Sequence, residues 1–152
     1  MRIILALCSM LMLSCIITAQ TNTEKEAVER ACMNYIEGFY EGDTKKLEAS
    51  LQPQLYKFGF MKNKDTNEYQ QVAEMSYDAA MAYANDVKEK QRFPKPDAPK
   101  EVMVLDIGNH IAAARVTAWW GIDYLLLSKT DDGWMIEQVL WEGPLEKSHL
   151  EN

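Results

Sequence analysis

Histidine, cysteine and basic charge are all scarce in this sequence, and each scarcity closes off a class of function. The two histidines, His110 and His149, have no partner at metal-ligand spacing, so no metal centre is expected. Of the three cysteines, Cys8 and Cys15 fall in an apolar leader, which leaves Cys32 alone and rules out a disulfide within the remainder. Cys32 sits in an apolar helical stripe and reads as a packing thiol rather than a nucleophile. Asp and Glu outnumber Lys and Arg by 23 to 16, a formal charge of −7. Nucleic acid would demand clustered basic residues to displace counterions, so it is not an expected partner. A Gly-rich phosphate loop and a nucleophile elbow are also missing, so the sequence calls for no cofactor and shows no covalent nucleophile.

What is there begins with Met1-Arg2, an apolar run over residues 3–17, and Thr18-Ala19-Gln20. A basic start, an apolar stretch and a small residue before a polar one form the pattern of a secretory signal, with cleavage expected after Ala19. The run falls short of a membrane span, which needs about 20 apolar residues. A competing reading is lipidation at Cys15, since Leu13-Ser14-Cys15 resembles a lipobox, although Met12 and Leu13 depart from that pattern. The expectation is an exported chain, periplasmic or secreted, with residues 20–152 forming one domain and no span left after cleavage. Removing residues 1–19 takes away Arg2 and no acid, so that domain is one unit more negative than the whole chain.

Thr23 and Glu26 have capping-box spacing, and Val28, Ala31, Cys32, Tyr35, Ile36 and Phe39 recur with the period of one helix face. A helix is therefore expected over residues 24–41, ended by Gly42. Asp43 can cap a short second helix reaching residue 51 before Pro53 stops it. Over residues 55–61, Tyr56, Phe58 and Phe60 alternate with Leu55, Lys57 and Gly59, which reads as a strand whose aromatic row faces the core. A polar turn follows at residues 62–67. Ser76 can cap a third helix that buries Ala80, Ala84 and Val87, and three prolines make residues 93–99 a linker. Strands are expected at residues 102–107, 111–118, 123–129 and 134–141, with turns at Gly108-Asn109, Trp120-Gly121 and Asp132-Gly133. The order implies an α+β domain, three N-terminal helices on one face of a bent antiparallel meander.

The segments Tyr35-Ile36-Glu37-Gly38-Phe39-Tyr40-Glu41-Gly42-Asp43, Val104-Leu105-Asp106 with Ala112-Ala113-Ala114, Gly121-Ile122-Asp123-Tyr124-Leu125-Leu126-Leu127 and Asp132-Gly133-Trp134-Met135-Ile136 carry a family likeness. In order and spacing they resemble the "Putative lumazine-binding" proteins of the nuclear transport factor 2-like superfamily. The resemblance covers roughly residues 24–141. It implies a cone-shaped, cystatin-like α+β fold, shared with ketosteroid isomerases, scytalone dehydratases and polyketide cyclases, and hence a pocket. Many of the relatives carry His-Pro where this chain has Gln52-Pro53, so no role of that histidine carries over. Fold alone does not fix function.

Burial argues for one sheet register. If Trp120-Gly121 is a two-residue turn, Ala118 faces Asp123, Val116 faces Leu125 and Ala114 faces Leu127, with Arg115 and Thr117 on the opposite side. A slip by one would expose the leucines. Asp123 then stands on the apolar face, where a carboxylate must be hydrogen-bonded or protonated. Pairing across Asp132-Gly133 sets Leu125 against Leu140 and Leu127 against Gln138, with Trp134 and Ile136 on the same side, and turns Gln138 inward. A three-residue turn would bring Glu137 inward instead. Trp119 and Trp120 at a turn suit a lid or stacking wall, and Tyr35, Tyr56 and Tyr124 supply phenols around the cavity.

Three readings stay open on these residues. One is a binding domain for a small apolar or aromatic molecule, a pteridine-like heterocycle among them, contacted by Asp123, Gln138, Tyr35, Tyr56, Trp119, Trp120 and Trp134. The second is an acid–base enzyme in which Asp123 transfers the proton and Tyr124 is the neighbouring oxyanion donor. The third is an interaction domain that forms a homodimer through the outer sheet face. A filled cone favours the third, an open dry pocket the first, and a perturbed aspartate beside a phenol the second.

Overall fold

The computed structural model describes residues 23–147. The leader, with Cys8 and Cys15, and the tail histidine His149 lie outside the described residues. Helix α1 runs over residues 23–41 and buries Val28, Ala31, Cys32, Tyr35, Ile36 and Phe39, the face its periodicity marks out. Asp43 caps α2 (Thr44–Glu48) through its side chain, which accepts from the Lys45 and Lys46 amides. Then follow β1 (Leu51–Lys62), β2 (Tyr69–Met75), α3 (Tyr77–Glu89), β3 (Glu101–Ile107), β4 (Ile111–Ala118), β5 (Gly121–Thr130) and β6 (Gly133–Gly143). Ser76 caps α3, which buries Ala80, Ala84 and Val87.

The six strands form one open sheet in the order β2-β1-β6-β5-β4-β3. The fold class is α+β with a curved, unclosed sheet, and four details differ from the expectation. The helices are not consecutive, because the β1–β2 hairpin separates α2 from α3. The sheet is mixed, since β1 runs parallel to β6 while every other pair is antiparallel. Pro53 does not stop a helix; it lies inside β1, exposed, where pairing with β6 is interrupted between Leu51 and Tyr56. A proline has no amide to give to the ladder, and a gap in pairing is where a strand tolerates it. Strand β2 was not expected at all. Its sequence, YQQVAEM, lacks a buried alternation because it is an edge strand exposed along most of its length.

Register places the inner face. In the β4–β5 hairpin Ala118 pairs with Gly121, Val116 with Asp123 and Ala114 with Leu125. The turn residues are thus Trp119 and Trp120, and the pairing is offset by two positions from the expected one. Gly121 has φ +150°, and a Cβ there would stand 1.8 Å from the Glu142 carbonyl oxygen, so it closes the turn from within the ladder. An even offset conserves faces. Asp123 therefore stays inward, in a row that reads Val102, Val116, Asp123, Trp141 and Gly59 across the sheet. The next inner row is Val104, Ala114, Leu125, Val139 and Lys57.

Gln138 in β6 and the aromatic row of β1, both expected inside, face out. The β5–β6 ladder shifts between Leu126 and Leu127, so Leu127 pairs with Ile136 but Leu126 pairs with Gln138. Glu137 is the extra residue of this bulge, and it turns Gln138 to the exposed side while Val139 and Trp141 face in. Glu137 does not enter the cone either; it accepts the Ser128 hydroxyl. In β1 the parity is the reverse of the expectation. Leu55, Lys57 and Gly59 are buried, and Tyr56, Phe58 and Phe60 lie on the outer face. A Cβ at Gly59 would stand 2.5 Å from ring carbons of Trp141, so the absent side chain is what makes room for that indole. Period two then fixes Lys57 inward as well.

Candidate functional site

The cone holds a cavity of ≈ 260 Å³ between α1, α3 and the inner sheet face. Its walls are aromatic and thioether groups: Phe39 from α1, Tyr83 from α3, Trp119 and Trp120 from the β4–β5 turn, Trp141 from β6, and Met61 and Met75 from β1 and β2. Trp120 is fixed edge-to-face against Tyr35, Phe39, Tyr40 and Trp119, with ring centroids 5.6 to 6.2 Å apart. Tyr40 holds the turn itself. Its hydroxyl accepts from the Trp119 amide at 2.8 Å and donates to the Pro99 carbonyl at 2.5 Å, tying α1 to the linker before β3.

At the floor of the cavity lie three ionisable groups. Tyr35 donates its hydroxyl to Asp123 Oδ2. Lys57 Nζ donates to the Tyr35 oxygen at 2.8 Å and lies 3.4 Å from Asp123 Oδ2. The Trp120 indole Nε1 donates to the other carboxylate oxygen, Oδ1, at 2.8 Å. Asp123 has no exposed surface, so these bonds are what makes its burial tolerable. Burial pushes the Tyr35 phenol well above its ordinary value, and the Asp123 charge adds to the shift, so Tyr35 remains a neutral donor. Burial also holds the Lys57 ammonium below its usual range, opposed by the Asp123 carboxylate. The Lys57 ammonium lies 5.3 Å from the centre of the Trp141 ring and 5.5 Å from that of Tyr35.

The structure brings Tyr35, Trp119, Trp120 and Asp123 together and disperses the other expected site residues. Tyr35, Trp119 and Trp120 line the cavity, whereas Asp123 stands behind them with both oxygens engaged and does not line it. Trp134 is buried, but at the far end of β6, where its Nε1 donates to Glu24 Oε2 at 2.9 Å. Gln138, Tyr56 and Tyr124 are exposed on the outer face; Tyr56 reaches Glu74 at 3.3 Å. The tyrosine beside Asp123 is therefore Tyr35 and not Tyr124, because successive residues of a strand point to opposite faces.

Sequence reasoning missed Lys57, and with it Trp141, Phe39, Tyr83, Met61 and Met75 as cavity walls. The signal that could have found Lys57 is Gly59, two residues on: a glycine in mid-strand marks the side on which another group approaches closely. Among the described residues no group of three His, Cys, Asp or Glu is placed to hold a metal ion.

Solved structures share this architecture. An NTF2-like protein of unknown function from Shewanella baltica OS155 is 20% identical, with 78% of this chain and 92% of that one covered and a TM-score of 0.59. A domain of unknown function with a cystatin-like fold from Nostoc punctiforme PCC 73102 is 12% identical, covering 84% and 82%, TM-score 0.54. The association domain of C. elegans CaMKII is 10% identical, covering 80% and 97%, TM-score 0.54. At these identities the likeness shows the fold. No curated protein matches the chain. The family profile described as "Putative lumazine-binding" matches residues 23–142, from the first helix to the last strand, and the chain belongs to that family.

Proposed function

We propose that this domain binds a small, flat, largely apolar molecule in the cone, with a pteridine-like heterocycle as the leading class. The observation that carries the reading is the cavity of ≈ 260 Å³, walled by aromatic rings and two methionines, into which Lys57 is, among the described residues, the one ammonium that projects. Rings on several sides stack against a flat ligand, and a single buried donor orients it. An ammonium has three protons; Tyr35 and Asp123 take two, which leaves one for an acceptor on the ligand. Because Asp123 already balances the Lys57 charge, a neutral ligand bearing a carbonyl or ring nitrogen suits the site better than an anion. The family name supports a heterocycle of this kind. Asp123 serves as a positioning residue, since it touches Tyr35, Lys57 and Trp120 and not the cavity. Mass spectrometry of small molecules released from natively purified protein tests the reading. A stoichiometric aromatic compound is expected, and a lipid or peptide in its place would overturn it.

The domain is proposed to work outside the cytoplasm, on the strength of the leader pattern in residues 1–19. No described helix is long and apolar enough to cross a membrane. A mature amino terminus at Gln20 is the expected intact mass, and an acylated Cys15 would contradict it.

A second reading concerns the outer sheet face, where Met103, Tyr124, Leu126 and Leu140 are each about half exposed. Met103, Arg115, Tyr124, Leu140 and Phe58 form one row across five strands. A second copy of the chain, covering this apolar row with its own, is the proposed occupant. Sedimentation should give a dimer that Leu126→Glu converts to monomer; a wild-type monomer at high concentration would end this reading.

A further inference from the structure

Lys57, Tyr35 and Asp123 form a continuous proton path that ends at an apolar cavity, which is more than a binding site requires. Lys57 Nζ donates to the Tyr35 oxygen at 2.8 Å, and the Tyr35 hydroxyl in turn donates to Asp123 Oδ2. Moving one proton along each bond turns an ammonium and a carboxylate into an amine and a carboxylic acid, and Tyr35 is unchanged. Neither state carries net charge. In a buried site the charged pair bears a desolvation cost that the neutral pair does not, so the two lie closer in free energy than they would in water.

We propose that Lys57 is a nucleophilic amine that captures an aldehyde or ketone in the cone as an imine. The inference rests on the ligand-pocket reading above and names a substrate class for that site. Lys57 lines the cavity beside Tyr35 and is almost fully buried, so only a molecule that enters the cone reaches its nitrogen. The lowered affinity of Lys57 for its proton, imposed by burial, acts in the same direction.

The step balances without an external reagent. Nζ forms a bond to the carbonyl carbon, the C=O π pair moves to oxygen, and one N–H proton follows it there, giving a neutral carbinolamine. The Asp123 proton then travels through Tyr35 to the hydroxyl, which leaves as water. The product is a protonated imine on Lys57 next to the restored Asp123 carboxylate, the same charge pattern as the ammonium and carboxylate of the free protein. Overall, one carbonyl and one lysine ammonium give one iminium and one water. Walls of indole, phenyl and thioether groups limit bulk water at the new C=N bond.

The test uses the whole domain, naphthaldehyde as a flat aromatic probe, and cyanoborohydride to fix any imine. Peptide mapping after short exposure near neutral pH should place the first reduced adduct on Lys57, ahead of the exposed Lys25 and Lys90. Tyr35→Phe should slow the labelling by about 100-fold, the size of a lost proton-transfer group. Its affinity for naphthol, which has the same shape and no carbonyl, is measured alongside, so that slower labelling is compared at equal occupancy of the cone. Lys57→Arg, still cationic, should take no adduct at that position. Labelling of Lys57 no faster than of Lys25 and Lys90, with naphthol still bound, would overturn the imine and leave the pocket reading intact. Failure of naphthol, naphthaldehyde and lumazine all to bind would overturn both.

Discussion

Tyr35 of α1 donates its hydroxyl to Asp123 of β5, 88 residues away in sequence, and that contact pins the helix layer to the inner face of the sheet at the cavity floor. Lys57 joins them from β1, and Trp120 from the β4–β5 turn just before Asp123. Three segments distant in sequence thus meet at one carboxylate, and the expectations below follow from that geometry.

Asp123→Asn should cost stability before anything else. The amide keeps the shape but leaves the Lys57 charge buried and unbalanced, a loss of about 3 to 5 kcal/mol. Chemical denaturation measures it. A loss below about 1 kcal/mol, in the range of an ordinary surface change, would mean that Lys57 and Asp123 are not a buried pair.

Combining Asp123→Asn with Lys57→Met removes both charges at once. The double variant should be more stable than the sum of the two losses by about 1 to 3 kcal/mol, since each single variant strands one partner. Additive losses in the same denaturation experiment would break the pairing.

How much of this was legible in the sequence depended on parity. Asp123 was placed inward correctly even though the turn was assigned one residue late, because that error shifts the pairing by two positions and an even offset leaves faces unchanged. Gln138 was placed inward wrongly because one extra residue, Glu137, bulges out of the ladder and reverses the parity beyond it. Lys57 was overlooked for a related reason: the aromatic row Tyr56, Phe58 and Phe60 looks like a core face, and only the close approach of Trp141 to Gly59 reveals that it is the outer one. The helix faces, by contrast, follow directly from periodicity, and α1 buries every residue its pattern marked.

Gln138→Ala and Trp134→Ala form a contrasting pair within one strand. Gln138 is exposed, so its loss should move stability by no more than about 0.5 kcal/mol. Trp134 is buried and its indole anchors Glu24 of α1, so truncation should cost about 3 to 5 kcal/mol. Thermal melts that rank them the other way would refute the bulge at Glu137.

Cys32 should resist thiol reagents in the folded protein and react once it is unfolded. It is fully buried against the core, and burial pushes its thiol up to about 12. The sign of the pH effect follows: as pH rises from 9 the unfolded thiol ionises while the folded one does not, so this group withdraws stability progressively up to about pH 12. Rapid labelling of native protein at neutral pH would contradict the packing of α1 on the sheet.

The most direct test of the central claim is calorimetric titration with lumazine and naphthol of three proteins: the wild type, a Met75→Trp variant that fills the cavity, and the outer-face variant Leu126→Glu. Saturable binding of at least one compound to the wild type is expected, abolished by Met75→Trp and unchanged by Leu126→Glu. Binding that survives the filled cavity but disappears with the outer-face substitution would show that the cone is not the site.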